Sequence, residues 1–172
     1  MDVEYFRMLF DYNRWANAKI LDQAVHASES DYFGPHAGLS FDNLHSTLLH
    51  LVGSEMTWLR RWSGQTAIPF TAEQMPDLAA LLALRADAEA QQTAFFAALT
   101  DERVNADNTY ALPNGNTWTH KLGHQMAHWV NHATQYRSEA AVRLTELGLS
   151  PGGLDLAAWL HQRDSGPTPP PA

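Results

Sequence analysis

The sequence predicts an all-α protein, an up-down four-helix bundle with a short additional C-terminal helix. Three observations point there: apolar residues recur at helical spacing along four long stretches, nothing alternates as a sheet would, and no unit repeats at a fixed period. With 172 residues and 45% hydrophobic content, the chain fits one domain with a proper core.

Phe6, Leu9, Phe10, Ala16, Ile20 and Ala24 set the apolar face of a first helix, from about Asp2 to Ala27. Gly34, Pro35 and Gly38 interrupt the pattern. A second helix starts near Ser40 or Asp42, carries Leu44, Leu48, Leu51, Trp58, Leu59 and Trp62, and stops at Gly64. A third runs from Thr71 or Asp77 to about Thr100, where "DLAALLALRADAEAQQTAFFAAL" is rich in helix formers. The Asn-rich "RVNADNTYALPNGNTW" then reads as a long loop or a short hairpin, with a turn at Pro113, Asn114 and Gly115. A fourth helix covers about Thr119 to Leu147, with Gly148 as its C-terminal cap, and "LDLAAWLHQRD" forms the short last one. The domain is read as residues 1–164 and the Pro-rich 165–172 as a disordered tail.

Composition excludes several functions. A net charge of −8 with only 11 basic residues argues against a nucleic-acid surface, which needs clustered Lys and Arg. Without cysteine there are no disulfides, thiolate ligands or Cys nucleophile, so any metal is held by N and O atoms. "MDVEYFRMLFDYNRW" lacks the apolar core of a secretion signal and no apolar run is long enough to span a membrane, so a cytoplasmic protein without a membrane partner is expected.

Two amides, Asn13 and Asn17, fall within the apolar arc of the first helix. They either hydrogen-bond across helices, as buried polar groups must, or line a polar cavity and orient a ligand. Nine histidines supply the candidate chemistry, and His120, His124, His128 and His132 recur every four residues. Four residues advance about 400°, so this stripe rotates about 40° per step toward the apolar edge at His132 and Tyr136. His120 and His124 are read as exposed. A pair such as His128 and His132 can chelate one ion, and a third ligand would come from the second helix. His50 is better placed there than His45, because Gly53, Ser54 and Thr57 on its side leave room for a cleft; the alternative is a solvated His50.

"LFDYNRWANAKIL", "LHSTLLHLVGSEMTWLRRWSG" and "MAHWVNHATQYRSEAAVRLTELG", in that order, resemble the signature helices of the DinB/YfiT-like superfamily of helical-bundle proteins. The resemblance implies a bundle, often dimeric, with a divalent metal held in a cleft by three histidines. One comes from the second helix and two from an NHxxxHR-type motif later in the chain. By position His50 matches the first and His132 the second. "NHATQYRSE" puts Tyr136 at the third, and Ser138 and Glu139 replace the Gly and Gln that commonly follow. His128, one turn upstream, replaces the missing ligand in the expected set of His50, His128 and His132, whose neutral imidazoles suit zinc, nickel or iron. The other outcomes are ligation by a Tyr136 phenolate and an empty site.

The same resemblance implies a metal-dependent enzyme that transfers a low-molecular-weight thiol, such as bacillithiol or mycothiol, to a small electrophile, or hydrolyses a small substrate. Tyr136 is the expected acid or hydrogen-bond donor and Glu139 the partner of a histidine N–H. Asn13, Asn17 and Asn131 are candidate orienting groups, Trp15, Trp58, Trp62 and Trp129 core packing, and Arg60, Arg61 and Arg137 members of surface ion pairs. A carboxylate-bearing thiol would give these arginines another use. The competing class is a non-catalytic stress-response or binding module with an altered cleft.

Overall fold

A computed structural model describes residues 1–165, and they are mostly helical. The long helices are α1 (Val3–Ala24), α3 (Leu44–Trp62), α4 (Leu78–Ala98) and α6 (Leu122–Glu146). Short helices α2 (Glu29–Phe33) and α5 (Asp101–Asn105) and a terminal α7 (Leu156–Ser165) join them, with one hairpin of β1 (Asp107–Ala111) and β2 (Thr117–Lys121). The four long helices contact one another in a closed ring, α1 to α6, α6 to α3, α3 to α4 and α4 back to α1. Among the described residues no helix is long and apolar enough to cross a membrane.

Helix starts follow the caps. The Asn43 side chain accepts from Ser46 N–H and that of Asp77 from Ala80 N–H, both at 2.8 Å. Each satisfies an amide that the first turn leaves without a partner, so α3 begins at Leu44, shortly after the expected Ser40 or Asp42, and α4 at Leu78, directly after Asp77, the later of its two expected starts. Ser28 and Thr100 cap α2 and α5 in the same way, two short helices that apolar periodicity does not reveal. Gly148, at φ 77°, ends α6 as expected, with its N–H on Thr145 O and the Leu149 N–H on Leu144 O.

The fourth helix begins later than periodicity suggests. Residues 117–121 pair antiparallel with 107–111, Tyr110 opposite Trp118 and Asn108 opposite His120, so the expected helical start at Thr119 is corrected to Leu122 and His120 leaves the helical stripe. Extended backbone wins there because Thr, Trp and Thr suit a strand and the turn at Gly115, φ 84°, brings the partner strand alongside. The chain also continues helically through Ser165, one residue into the expected tail; the rest of that tail, 166–172, lies outside the described residues.

The core is aromatic and aliphatic. Trp62 and Trp129 meet edge to face at 5.6 Å, with Phe96 packed on both, and Leu44, Leu48, Leu51, Leu81 and Met126 close the interior. α7 docks separately: Trp159 packs 5.9 Å from Tyr12 on α1, whose hydroxyl donates to Leu154 O at 2.8 Å.

Candidate metal centre

The packing of α3 against α6 brings His50 onto the row formed by His132 and Tyr136. One side of α3 is committed to the core by Leu48, Leu51 and Val52, which turns His50 toward α6, where it is half-buried. His132 and Tyr136 stack one turn apart, rings 4.7 Å between centroids. The His50 ring lies 5.0 Å from that of His132 and 4.4 Å from that of Tyr136, while Phe41 packs on His50 at 4.3 Å and reaches the Tyr136 ring at 5.6 Å.

The two imidazole Nε2 atoms are 3.1 Å apart. Burial, then the neighbouring His50 and His128, pushes the His132 pKa down to about 4, and burial lowers that of His50 against the opposing pull of Glu139. Both rings are therefore neutral near pH 7, the form that ligates a metal. Two nitrogens each about 2.1 Å from one ion and at roughly a right angle stand about 3 Å apart, so this pair fits two positions of a divalent centre. The same separation suits one N–H···N hydrogen bond between complementary tautomers.

His128 stands beside this pair rather than on it. It is exposed, its ring 5.6 Å from that of His132 and 5.1 Å from Trp58, with its pKa lowered by desolvation and by the Arg61 charge. All three histidines line one cleft of about 260 Å³ with Gly53, Ser54 and Thr57, the small residues from which a cleft is expected. Among the described residues no three or more His, Cys, Asp or Glu side chains meet as a metal-holding group. Tyr136 is thus the group whose ring contacts both members of the histidine pair.

Other expected groups go elsewhere. Glu139 accepts the Ser40 N–H at 2.8 Å and its hydroxyl at 2.7 Å, so the loop before α3 takes up its carboxylate and it acts on His50 only through charge. Asn131 is exposed. His45 is buried with its Nδ1 3.1 Å from the Tyr32 hydroxyl, away from the cleft. Trp62 and Trp129 are core residues as expected, whereas Trp58 is buried yet lines the cleft.

Behind the histidine pair lies a buried polar network. Asn13 Nδ2 and Asn17 Nδ2 donate to Glu55 Oε1 at 2.6 and 2.7 Å, and Arg137 Nη1 donates to both amide oxygens, at 3.0 Å for Asn17. The amides therefore serve cross-helix bonding, the first of their two readings. Arg137, 1% exposed, is no surface residue, which corrects its expected ion pair: its guanidinium lies 5.3 Å over the Tyr12 ring and reaches Thr134 Oγ1 at 2.9 Å. Burial raises the Glu55 pKa to about 7, against the pull of Arg137, Arg85 and the two amides. Arg60 and Arg61 form no ion pair among the described residues and lie over aromatic rings instead. A signal for the network was present in the sequence: Glu55 falls between Val52 and Leu59, and Arg137 between Ala133 and Ala140, each on an otherwise apolar arc.

The helical frame, with a histidine of α3 facing the His-Ala-Thr-Gln-Tyr-Arg turn of α6, agrees with a match along nearly the whole sequence. The chain belongs to the DinB family, whose profile it matches over residues 1–167. No curated protein matches it.

Proposed function

We propose that this protein is a metal-dependent enzyme of the DinB/YfiT type, which transfers a low-molecular-weight thiol to a small electrophile or hydrolyses a small substrate. The observation that carries the reading is the pair of neutral imidazoles, Nε2 atoms 3.1 Å apart, at the wall of an open cleft. Their separation suits one zinc, nickel or iron ion, with Tyr136 or His128 as the third group. His50 and His132 would hold such an ion, and it would supply Lewis acidity, lowering the pKa of a water or thiol nucleophile toward neutral pH.

The chain's own residues supply the rest. Phe41 packs on His50 and shields that ring from bulk water, and Trp58 walls the same cleft beside His128, which strengthens polar interactions there. Where His128 is the third group, the Tyr136 hydroxyl, on the ring that touches both histidines, keeps its proton and is the donor to a leaving atom. The network of Asn13, Asn17, Glu55 and Arg137 fixes α1, α3 and α6 relative to one another and so sets the spacing of His50 and His132. We read the four long helices as an up-down bundle, dimerisation as an implication of the family, and a cytoplasmic setting as an implication of composition.

The test is metal content per chain by mass spectrometry, on protein purified without chelator or affinity metal. About one ion per chain, lost in His50→Ala and in His132→Ala, supports the reading, and its retention or loss in His128→Ala assigns the third group. Absence of an ion from the parent overturns it. Tyr136 favours a second reading, a non-catalytic binding or stress-response module, because it stands where the family pattern has a histidine. An ion that appears only in Tyr136→His would select that alternative.

A further inference from the structure

Arg61 projects from α3 between two aromatic rings, its guanidinium carbon 4.7 Å from the Trp58 centroid and 4.9 Å from that of Tyr110. The rings themselves meet at 5.2 Å and 68°, forming a corner that the side chain fills. Among the described residues no carboxylate lies within ion-pair distance of it, and its Nε is buried without a partner. That is an unusual position for a cation in a chain of net charge −8, where acidic groups outnumber basic ones. A guanidinium stays charged under all ordinary conditions and presents a planar fork of donors, so an unpaired one held in place by stacking is preorganised for a planar anion.

Its location gives it a use. Arg61 lines the histidine cleft and also an adjoining cleft of about 360 Å³ walled by Tyr110, Leu112 and Trp118, and Trp58 and His128 are common to both. His50 and Arg61 are eleven residues apart on α3, and a helical side chain leans toward its N-terminus, so Arg61 reaches back along the groove toward the histidines. Apolar ring faces lie between the two polar ends.

We propose that Arg61 is the carboxylate-binding residue of this cleft and that its ligands are small molecules bearing a carboxylate several bonds from the reacting atom, with an apolar segment packed on Trp58, Tyr110 and Trp118. One fork binding one carboxylate in two parallel hydrogen bonds fits the single cation present, whereas a phosphate dianion would call for more donors. The inference rests on the cleft being the substrate site proposed above. The carboxylate belongs either to the thiol or to the electrophile.

The test is calorimetry and tryptophan fluorescence on the full chain in EDTA, so that metal occupancy has no influence. The probes are 3-mercaptopropionate and 3-phenylpropionate, each compared with its own primary amide. At least tenfold tighter binding of an acid than of its amide is expected, abolished in Arg61→Gln and kept in Arg60→Gln, which loses the same charge one residue away. A preference for the mercapto acid alone places the carboxylate on the thiol, and one for the phenyl acid alone places it on the electrophile. Should Arg61→Gln not fold, Arg61→Lys, which keeps the charge but not the fork, is expected to reduce the preference several-fold. Equal binding of acids and amides, no binding of any probe, or a preference that survives in Arg61→Gln overturns the inference. Metal content measured separately tells this failure from failure of the metal reading, since either result can stand without the other.

Discussion

Glu55 on α3 and Arg137 on α6 are joined through the side-chain amides of Asn13 and Asn17 on α1. Both amides donate to the same carboxylate oxygen and both accept from the same guanidinium nitrogen. Three helices are thereby fixed at one buried point, directly behind the residues that form the candidate centre.

This arrangement makes Arg137 structurally demanding. Arg137→Ala removes the donor to both amide oxygens and leaves Glu55 buried without its compensating charge, which should destabilise the fold by about 3–5 kcal/mol. Urea denaturation near pH 7 checks this, and a loss below about 1 kcal/mol would show that the network is not a structural tie.

Glu55 should also impose a pH dependence. Its folded-state pKa is raised from 4.5 to about 7, so the stability it contributes is fully present below pH 4.5 and is lost as pH rises through 7. Glu55→Gln keeps the shape without the titration. The variant should match the parent near pH 4.5 and exceed it near pH 8 by as much as roughly 3 kcal/mol. Denaturation curves at the two pH values settle the sign, and a parent at least as stable as the variant at pH 8 contradicts it.

His132 works in the opposite direction. With its folded-state pKa lowered from 6.5 to about 4, its contribution is present above pH 6.5 and is lost as pH falls toward 4. Imidazole NMR on chelator-treated protein should show His132 neutral down to about pH 4, whereas titration near 6.5 would mean that the ring is solvated and not packed against His50.

The third ligand leaves its own mark on metal affinity. A Tyr136 phenolate must shed a proton with a reference pKa near 10, so affinity in the parent should climb up to about tenfold per pH unit across the neutral range. In Tyr136→His the rise should level off above about pH 7, with binding at least tenfold tighter at that pH. Competition against a chromogenic chelator measures both profiles, and identical slopes would exclude Tyr136 from the coordination sphere.

Much of this protein was legible in its sequence because helical information is local. The spacing of Leu44, Leu48, Leu51 and Leu59 reports α3 and its buried face without reference to any other segment, and Gly148 marks the stop of α6 through its own backbone freedom. The same regularity placed His132 and Tyr136 on one row and put small residues beside His50. Local pattern misplaced the start of α6, because residues 117–121 pair with 107–111 across a turn, and partnership is not a property of spacing. It also read Arg137 as a surface residue from its charge alone.

What the sequence determined by itself is the set of long helices, their apolar faces and the candidate histidines, since each follows from the chemistry of neighbours three and four residues apart. What only the tertiary structure decided is the relation between helices: that His50 meets His132 and Tyr136 while His128 stands aside, that Glu139 turns to Ser40, and that two asparagines join Glu55 to Arg137. Those relations depend on how far one helix slides and turns against another. That is set by the packing of Trp62, Phe96 and Trp129 in the core and by the hydrogen bonds that join Glu55 and Arg137 through the two asparagines.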